Sequence, residues 1–333
     1  MTTPSDIGAV AVTGATGFVG AAIVAALGDA GASPIAVVRP GKRIPRRGLP
    51  GEECPVRYRA FAAFEEDELA RAFEGARAVV HAASIVHRRG LPASAYERFN
   101  VEGTRALVAA ARRAGVEQIV FLSSVKVYGE EPVGVVDERT PCHPLAAYAE
   151  TKLRAERVVL DEAPVPSALR LAPVYGRGDK GNVRTVVRSI ARRVFLLPGD
   201  GATQKSLVHV SSVADVTLRV LAQRATGVFV TADEHAPTMR ELADTAARAL
   251  GRPSPRSLPA PLLSGVARAG DAALRALGAP PRDLAGLVHK SMLSTVFSPG
   301  KAQRELGAPC HVDLEWAIRD EIAWLREDGQ LPR

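Results

Sequence analysis

The run Val10-Ala11-Val12-Thr13-Gly14-Ala15-Thr16-Gly17-Phe18-Val19-Gly20 decides the fold. It reads as strand, turn and helix: an apolar stretch, three glycines three residues apart, then an amphipathic helix. Gly14 permits a tight turn. Gly17 lets backbone approach a pyrophosphate, and Gly20 lets the helix pack close to the strand. The free N–H groups at the helix start attract an anion, helped by the helix dipole. Gly14, Thr16, Gly17, Phe18, Val19 and Gly20 are therefore cofactor-binding candidates. A glycine triplet also arises for packing alone. Its place between an apolar strand and a helix favours a dinucleotide.

Outward from this turn, short apolar runs alternate with helical patterns, the signature of a parallel sheet. Strands are expected at 9–13, 35–38, 78–82, 118–122 and 167–171. Helices are expected at 18–30, 65–73, 94–114 and 145–161, with Gly31 just past the first. After about Tyr175 the pattern changes to Pro, Gly and short elements. Helices are expected near 182–193, 213–222, 239–250, 262–277 and 313–326. The fold class is α/β, with residues 1–176 binding the dinucleotide and residues 177–333 forming a smaller α/β substrate lobe. Some elements of the two are expected to interleave.

Composition is that of a globular protein, 47% hydrophobic and 24% charged over 333 residues. The glycines break the first apolar run, so it is neither a secretory signal nor a membrane span. The stretch 259–278 carries Arg268, Asp271 and Arg275 and reads as an amphipathic helix. Cys54, Cys142 and Cys310 show no disulfide or zinc spacing, which fits a reducing cytoplasm. The seven histidines show no metal-ligand spacing, so no metal is expected. The formal charge of +7 comes mainly from arginines scattered through alanine-rich helices. One local cluster, Arg39, Lys42, Arg43, Arg46 and Arg47, has no acid among its members.

Cofactor choice turns on that cluster. An Asp or Glu after the second strand bonds the ribose 2′-hydroxyl of NAD. Here Val38 is followed by Arg39-Pro40-Gly41-Lys42-Arg43. Arg39 pairs with a 2′-phosphate, or else stacks on adenine or lies in solvent. Charge favours NADP(H) over NAD(H).

The chemistry-bearing residues come next. Tyr148 and Lys152 lie four apart in a helical stretch, on one face. A free phenol, with pKa near ~10, is a poor base at neutral pH, and a neighbouring ammonium lowers that value. The spacing alone also describes an ordinary exposed helix face. It gains weight from the strand at 118–122, which runs on into Ser123 and Ser124. Ligand sites of parallel sheets lie at the carboxyl ends of strands, where Ser124 can bond the oxygen that Tyr148 protonates or deprotonates. Ser124, Tyr148 and Lys152 are the catalytic candidates.

These pieces together resemble the extended short-chain dehydrogenases, the NAD-dependent epimerase/dehydratase family. The matching segments are 13–20, Val80-His81-Ala82-Ala83, Asn100-Val101-Glu102-Gly103-Thr104, 123–129, Tyr148 with Lys152, and 170–176. The resemblance implies a Rossmann-type doubly wound sheet. It makes Tyr148 the base and Lys152 a ribose ligand. It places His81, Ala82 and Ala83 along the nicotinamide ribose, although a lone His81 also reads as a core histidine. Asn100 supports the active-site helix, and Pro173 belongs to a loop shielding the nicotinamide. Ser84 joins Ser124 and Tyr148 on the substrate side. In the second half Asn182 matches a nucleotide-phosphate contact. Lys205 stands where the family has a phosphate-binding arginine, without its bidentate fork; it also reads as an exposed hairpin lysine.

Three departures stand out. No Asp follows the third strand near Arg59-Ala60-Phe61 to bond adenine. Ser212 replaces the Asp often found after His-Val. The segment 293–297 is unusual. The resemblance implies chemistry at C4 of a UDP- or dTDP-linked sugar, as in 4-epimerases and 4-keto-sugar reductases of polysaccharide biosynthesis. Reduction or oxidation of a non-nucleotide carbonyl or alcohol, sterol-like or other, is the second reading. A dehydratase is disfavoured because Val125 and Lys126 follow Ser124. A cofactor-binding sensor or scaffold would not need the matched acid–base. No nucleic-acid partner is expected, and the resemblance allows a homodimer.

Overall fold

The computed structural model describes residues 7–44, 56–60, 64–86, 91–277 and 283–332. Arg46, Arg47, Cys54 and Phe61 lie outside the described residues. The strands are β1 (Ala9–Thr13), β2 (Ser33–Val38), β3 (Arg57–Ala60), β4 (Ala78–His81), β5 (Gln118–Ser124), β6 (Val135–Val136), β7 (Pro166–Leu171), β8 (Val174–Tyr175), β9 (Leu197–Pro198), β10 (Val208–His209), β11 (Gly227–Thr231), β12 (Ser257–Leu258) and β13 (Val296–Phe297). The helices are α1 (Phe18–Asp29), α2 (Glu66–Phe73), α3 (Ala93–Tyr96), α4 (Gly103–Arg113), α5 (Ala147–Glu162), α6 (Asn182–Ala191), α7 (Val210–Gln223), α8 (Met239–Ala249), α9 (Ala260–Ala276), α10 (Leu284–Ser291), α11 (Gly300–Leu306) and α12 (Leu314–Glu327).

Seven strands form one sheet in the order β11-β7-β5-β4-β1-β2-β3, and every pair in it is parallel. Parallel strands covered on both faces carry apolar residues on both. Val10, Val12, Val120 and Leu122 face one apolar layer with Ile23, Leu27, Val213 and Val220 of α1 and α7. Ala11, Ile119 and Phe121 face the other, with Leu69, Leu107, Ala155 and Val159 of α2, α4 and α5. The alternation is the two-residue strand period. A third core joins Val183, Val187 and Ile190 of α6 to Leu242 and Ala246 of α8 and Ile318 and Ile322 of α12.

The order reverses on either side of β1 and β4, which sets the ligand crevice at the carboxyl ends of these strands. The doubly wound sheet is thus as expected. One expected element differs. The helix expected over 94–114 is broken by a π-helical turn, Glu97–Glu102, between α3 and α4. Both flanks keep the ordinary helical period, so the extra residue is invisible in the pattern. Such turns mark functional positions in many helices.

Candidate active site

The glycine turn is built by close approach. Gly14 has φ +70°, and a Cβ there would lie 2.7 Å from the Ala83 nitrogen. A Cβ on Gly20 would collide with the Gly14 carbonyl oxygen. α1 starts at Gly17 without a side-chain cap, and its first turn holds no acid. Its leading N–H groups are free to meet an anion. Thr16 and Gly17 are exposed, and Phe18 and Val19 half-buried. The cradle fits a dinucleotide pyrophosphate. Phe18 also packs where a Cβ on Gly178 would stand, so the segment leading into α6 lies against the turn.

Arg39 is exposed directly after β2. Its neighbour Arg43 lies over the Tyr58 ring, 4.2 Å from its centre. Arg39 is thus the exposed cation nearest the strand end.

His81 is a core histidine. Its Nδ1 lies 2.8 Å from Thr13 Oγ1 and its Nε2 3.1 Å from Thr104 Oγ1. Thr104 donates to the Asn100 carbonyl at 2.6 Å. That leaves Thr104 Oγ1 to accept, which assigns the ring proton to Nε2. Burial first, then the Lys152 charge, lowers the His81 pKa to about 3. The ring therefore stays neutral, and only its backbone remains for a ligand.

Asn100, in the π turn, ties the β4 exit to α5. Its Oδ1 accepts from the Ile85 N–H at 2.9 Å and from Ser84 Oγ at 3.2 Å. Its Nδ2 donates to Thr151 Oγ1 at 3.2 Å. Ser84, expected on the substrate side, is held by Asn100. Ala82 and Ala83 stay half-buried beside the turn.

Ser124 ends β5, and its side chain accepts from the Lys126 N–H at 3.2 Å. It also hydrogen-bonds Tyr148. Burial raises the Tyr148 pKa, and the Ser124 bond opposes this. That corrects the sequence-based expectation that Lys152 lowers the phenol. Lys152 donates to the Leu122 carbonyl at 2.5 Å and sits 4.2 Å above the Phe121 ring. Desolvation lowers its pKa to about 7, with Glu156 pulling upward.

Below Lys152 lies a pair the sequence reading missed. Glu156, four residues on, bonds Arg170 of β7 at 2.6 Å, with both groups buried. Arg170 also donates to the Tyr128 hydroxyl at 2.8 Å. Glu156 was foreseeable as the next polar residue on the face of Tyr148 and Lys152. Its partner was not, because β7 meets β5 only in the fold.

Pro173 is exposed on the loop between β7 and β8, its carbonyl held by Val208 N–H at 3.0 Å. Ser212 has an explanation. Its hydroxyl donates to Asp233 at 2.7 Å, and Asp233 also accepts from the His209 N–H at 2.8 Å. An acid from beyond β11 thus stands in for the missing Asp, and burial raises its pKa to about 6.

Asn182 is exposed at the start of α6, where Asp179 takes the N–H groups of Gly181 and Arg184 at 2.5 and 3.2 Å. Lys205 is not on a free hairpin. Its ammonium donates to the Lys290 carbonyl at 2.8 Å and to the Leu293 carbonyl. It caps the carboxyl end of α10, where the dipole favours a cation.

The comparisons agree with this geometry. The model of the NAD dependent epimerase/dehydratase family matches residues 10–231. A 3-diazoavenalumate denitrifying reductase of a Streptomyces species is 33% identical, over 76% of this chain and 85% of that protein. An N-acetyl-alpha-D-glucosaminyl-diphospho-ditrans,octacis-undecaprenol 4-epimerase of Escherichia coli O157:H7 is 32% identical over 51% of this chain; the match spans 54% of that epimerase. MoeE5, solved in complex with UDP-glucose and NAD, is 28% identical with a TM-score of 0.70, over 97% of this chain and 100% of that one. This chain is an enzyme of the extended short-chain dehydrogenase type and belongs to the NAD dependent epimerase/dehydratase family.

Proposed function

We propose that the protein oxidises, reduces or epimerises C4 of a nucleotide-linked sugar, with Tyr148 moving the oxygen proton. The observation that carries this reading is the Ser124–Tyr148 hydrogen bond at the carboxyl end of β5. A bound nicotinamide supplies or accepts the hydride. Burial keeps Tyr148 protonated, an acid suited to a carbonyl oxygen. Ser124 orients that oxygen. Lys152 holds ribose hydroxyls in exchange for its bond to Leu122. Asn100 fixes α5 through Thr151, which sets where the phenol points. In the oxidising direction Tyr148 must first give its proton to solvent; the phenolate then takes the proton of the substrate hydroxyl while the hydroxyl carbon gives the hydride to the nicotinamide. Residues 1–176 bind the cofactor, NADPH favoured by Arg39, and 177–333 shape the substrate pocket.

A second reading, a non-nucleotide carbonyl or alcohol as substrate, draws support from Lys205. Its ammonium is engaged by two main-chain carbonyls and is not turned to a diphosphate. The Streptomyces relative is named for reduction of 3-diazoavenalumate, not of a nucleotide sugar.

Mass spectrometry of the bound cofactor, with a screen of UDP- and dTDP-sugars, separates the readings. Retained NAD with interconversion of UDP-sugars identifies an epimerase. NADPH consumption driven by a 4-keto sugar identifies a reductase. Silence with every nucleotide sugar, and turnover of a free carbonyl, replaces the first reading by the second.

A further inference from the structure

α9 is 17 residues long yet buries only Leu263 and Ala267, and α10 buries none. An ordinary surface helix hides its apolar stripe against the protein. α9 also turns one outward. Leu262, Val266, Ala269, Ala273 and Leu277 recur at the spacing of a single helix face, and all are exposed. Leu262, Val266 and Leu277 are 54%, 57% and 81% exposed, and Leu287 of α10 is 61% exposed.

The charges beside this stripe are mainly positive, although Glu131 stands against His289 of α10 at 3.1 Å. Arg268 and Arg275 flank it, both exposed. The two acids of the pair cap its own backbone, Asp271 half-buried and Asp283 exposed. Asp271 accepts from the N–H groups of Leu284 and Ala285 at 2.8 and 3.0 Å. Asp283 accepts from that of Gly286 at 3.1 Å. From Arg256 to Lys290 the sequence holds five basic residues, Arg256, Arg268, Arg275, Arg282 and Lys290, against those two acids. The stretch holds no Phe, Tyr or Trp, the anchors of most protein–protein contacts. Aliphatic residues edged by arginine match the boundary between anionic headgroups and acyl chains.

We infer that α9 and α10 form a docking face for an anionic phospholipid bilayer. No described helix is long and apolar enough to cross a membrane, so the face lies on the bilayer. The pair is tied to the catalytic loop. Glu130 bonds Lys126 at 3.1 Å and Lys290 at 3.2 Å, and Lys126 lies two residues beyond Ser124. Docking therefore brings the cleft to the membrane surface. The inference stands whichever substrate the cleft takes.

The test is sedimentation of the whole protein with vesicles of phosphatidylcholine and phosphatidylglycerol, against phosphatidylcholine alone. The protein partitions to the anionic vesicles, less so in high salt. Leu262→Glu with Val266→Glu, or Arg268→Glu with Arg275→Glu, lowers partitioning at least about tenfold. These side chains are exposed, so the variants keep the wild-type melting temperature. As an independent reading, Leu277→Trp gains a blue-shifted emission on anionic vesicles. Wild-type protein that stays in the supernatant overturns the inference, as does equal partitioning of wild type and variants. A dimer in gel filtration that the Leu262→Glu, Val266→Glu variant dissociates, without vesicle binding, overturns it in favour of self-contact.

Discussion

The two groups of candidate site residues are built on opposite terms. On the β5–α5 side, Ser124, Tyr148, Lys152, Glu156, Arg170 and Asn100 are bonded to one another or to backbone, and most are buried. On the α6–α10 side, Asn182 is exposed and Lys205 is spent on helix carbonyls. The difference teaches where each property is written. Proton and hydride chemistry needs groups fixed in a low-dielectric place, and that demand leaves few alternatives in sequence. On the proposed reading, substrate choice would rest on exposed positions that tolerate change.

The comparison breaks first at Tyr148. Tyr148→Phe should fold and bind cofactor yet lose at least ~100-fold in rate, since only proton transfer is removed. Steady-state kinetics beside cofactor titration checks this. Near-normal turnover would move the chemistry away from the buried group.

Arg39 belongs to an exposed edge, so its effect should be selective rather than general. Arg39→Ala should weaken NADPH by about 1.5–3 kcal/mol, the range for a hydrogen bond to a charged group, and NADH far less. Equal losses in fluorescence titrations with both would remove Arg39 from 2′-phosphate recognition.

Glu321 of α12 sharpens the contrast, being buried with neither carboxyl oxygen bonded among the described residues. Burial, then Asp179 and Asp320, raises its pKa from 4.5 to about 9. Between those values the folded protein keeps a proton that the unfolded chain releases. Stability therefore falls as pH rises through that window. Glu321→Gln should melt about 2 °C or more above wild type at pH 8, with a smaller gap at pH 5. His81 acts with the opposite sign below pH 6.5, equally in both proteins, and cancels. A gap independent of pH would show that Glu321 ionises normally.

The sequence carried the sheet half well because Val10, Val12, Val120 and Leu122 alternate with Ala11, Ile119 and Phe121, and the glycine turn fixes where they start. Helix ends came within a few residues. The π turn at Asn100 stayed hidden, since it adds a residue without disturbing the apolar positions around it. The Glu156–Arg170 pair and the Ser212–Asp233 bond join residues that only strand order brings together. Lys205 shows the limit from the other side. Its position matched a phosphate ligand, but the carboxyl end of α10 was an acceptor no local pattern announced.

Deuterium tracing tests the shared claim, hydride transfer at C4, most directly. The protein is given a UDP-hexose carrying deuterium at C4, and sugar and nicotinamide are analysed by mass spectrometry. Hydride transfer predicts that the label stays at C4 of the epimerised sugar or passes into the nicotinamide ring. Turnover that washes the label into water would contradict it.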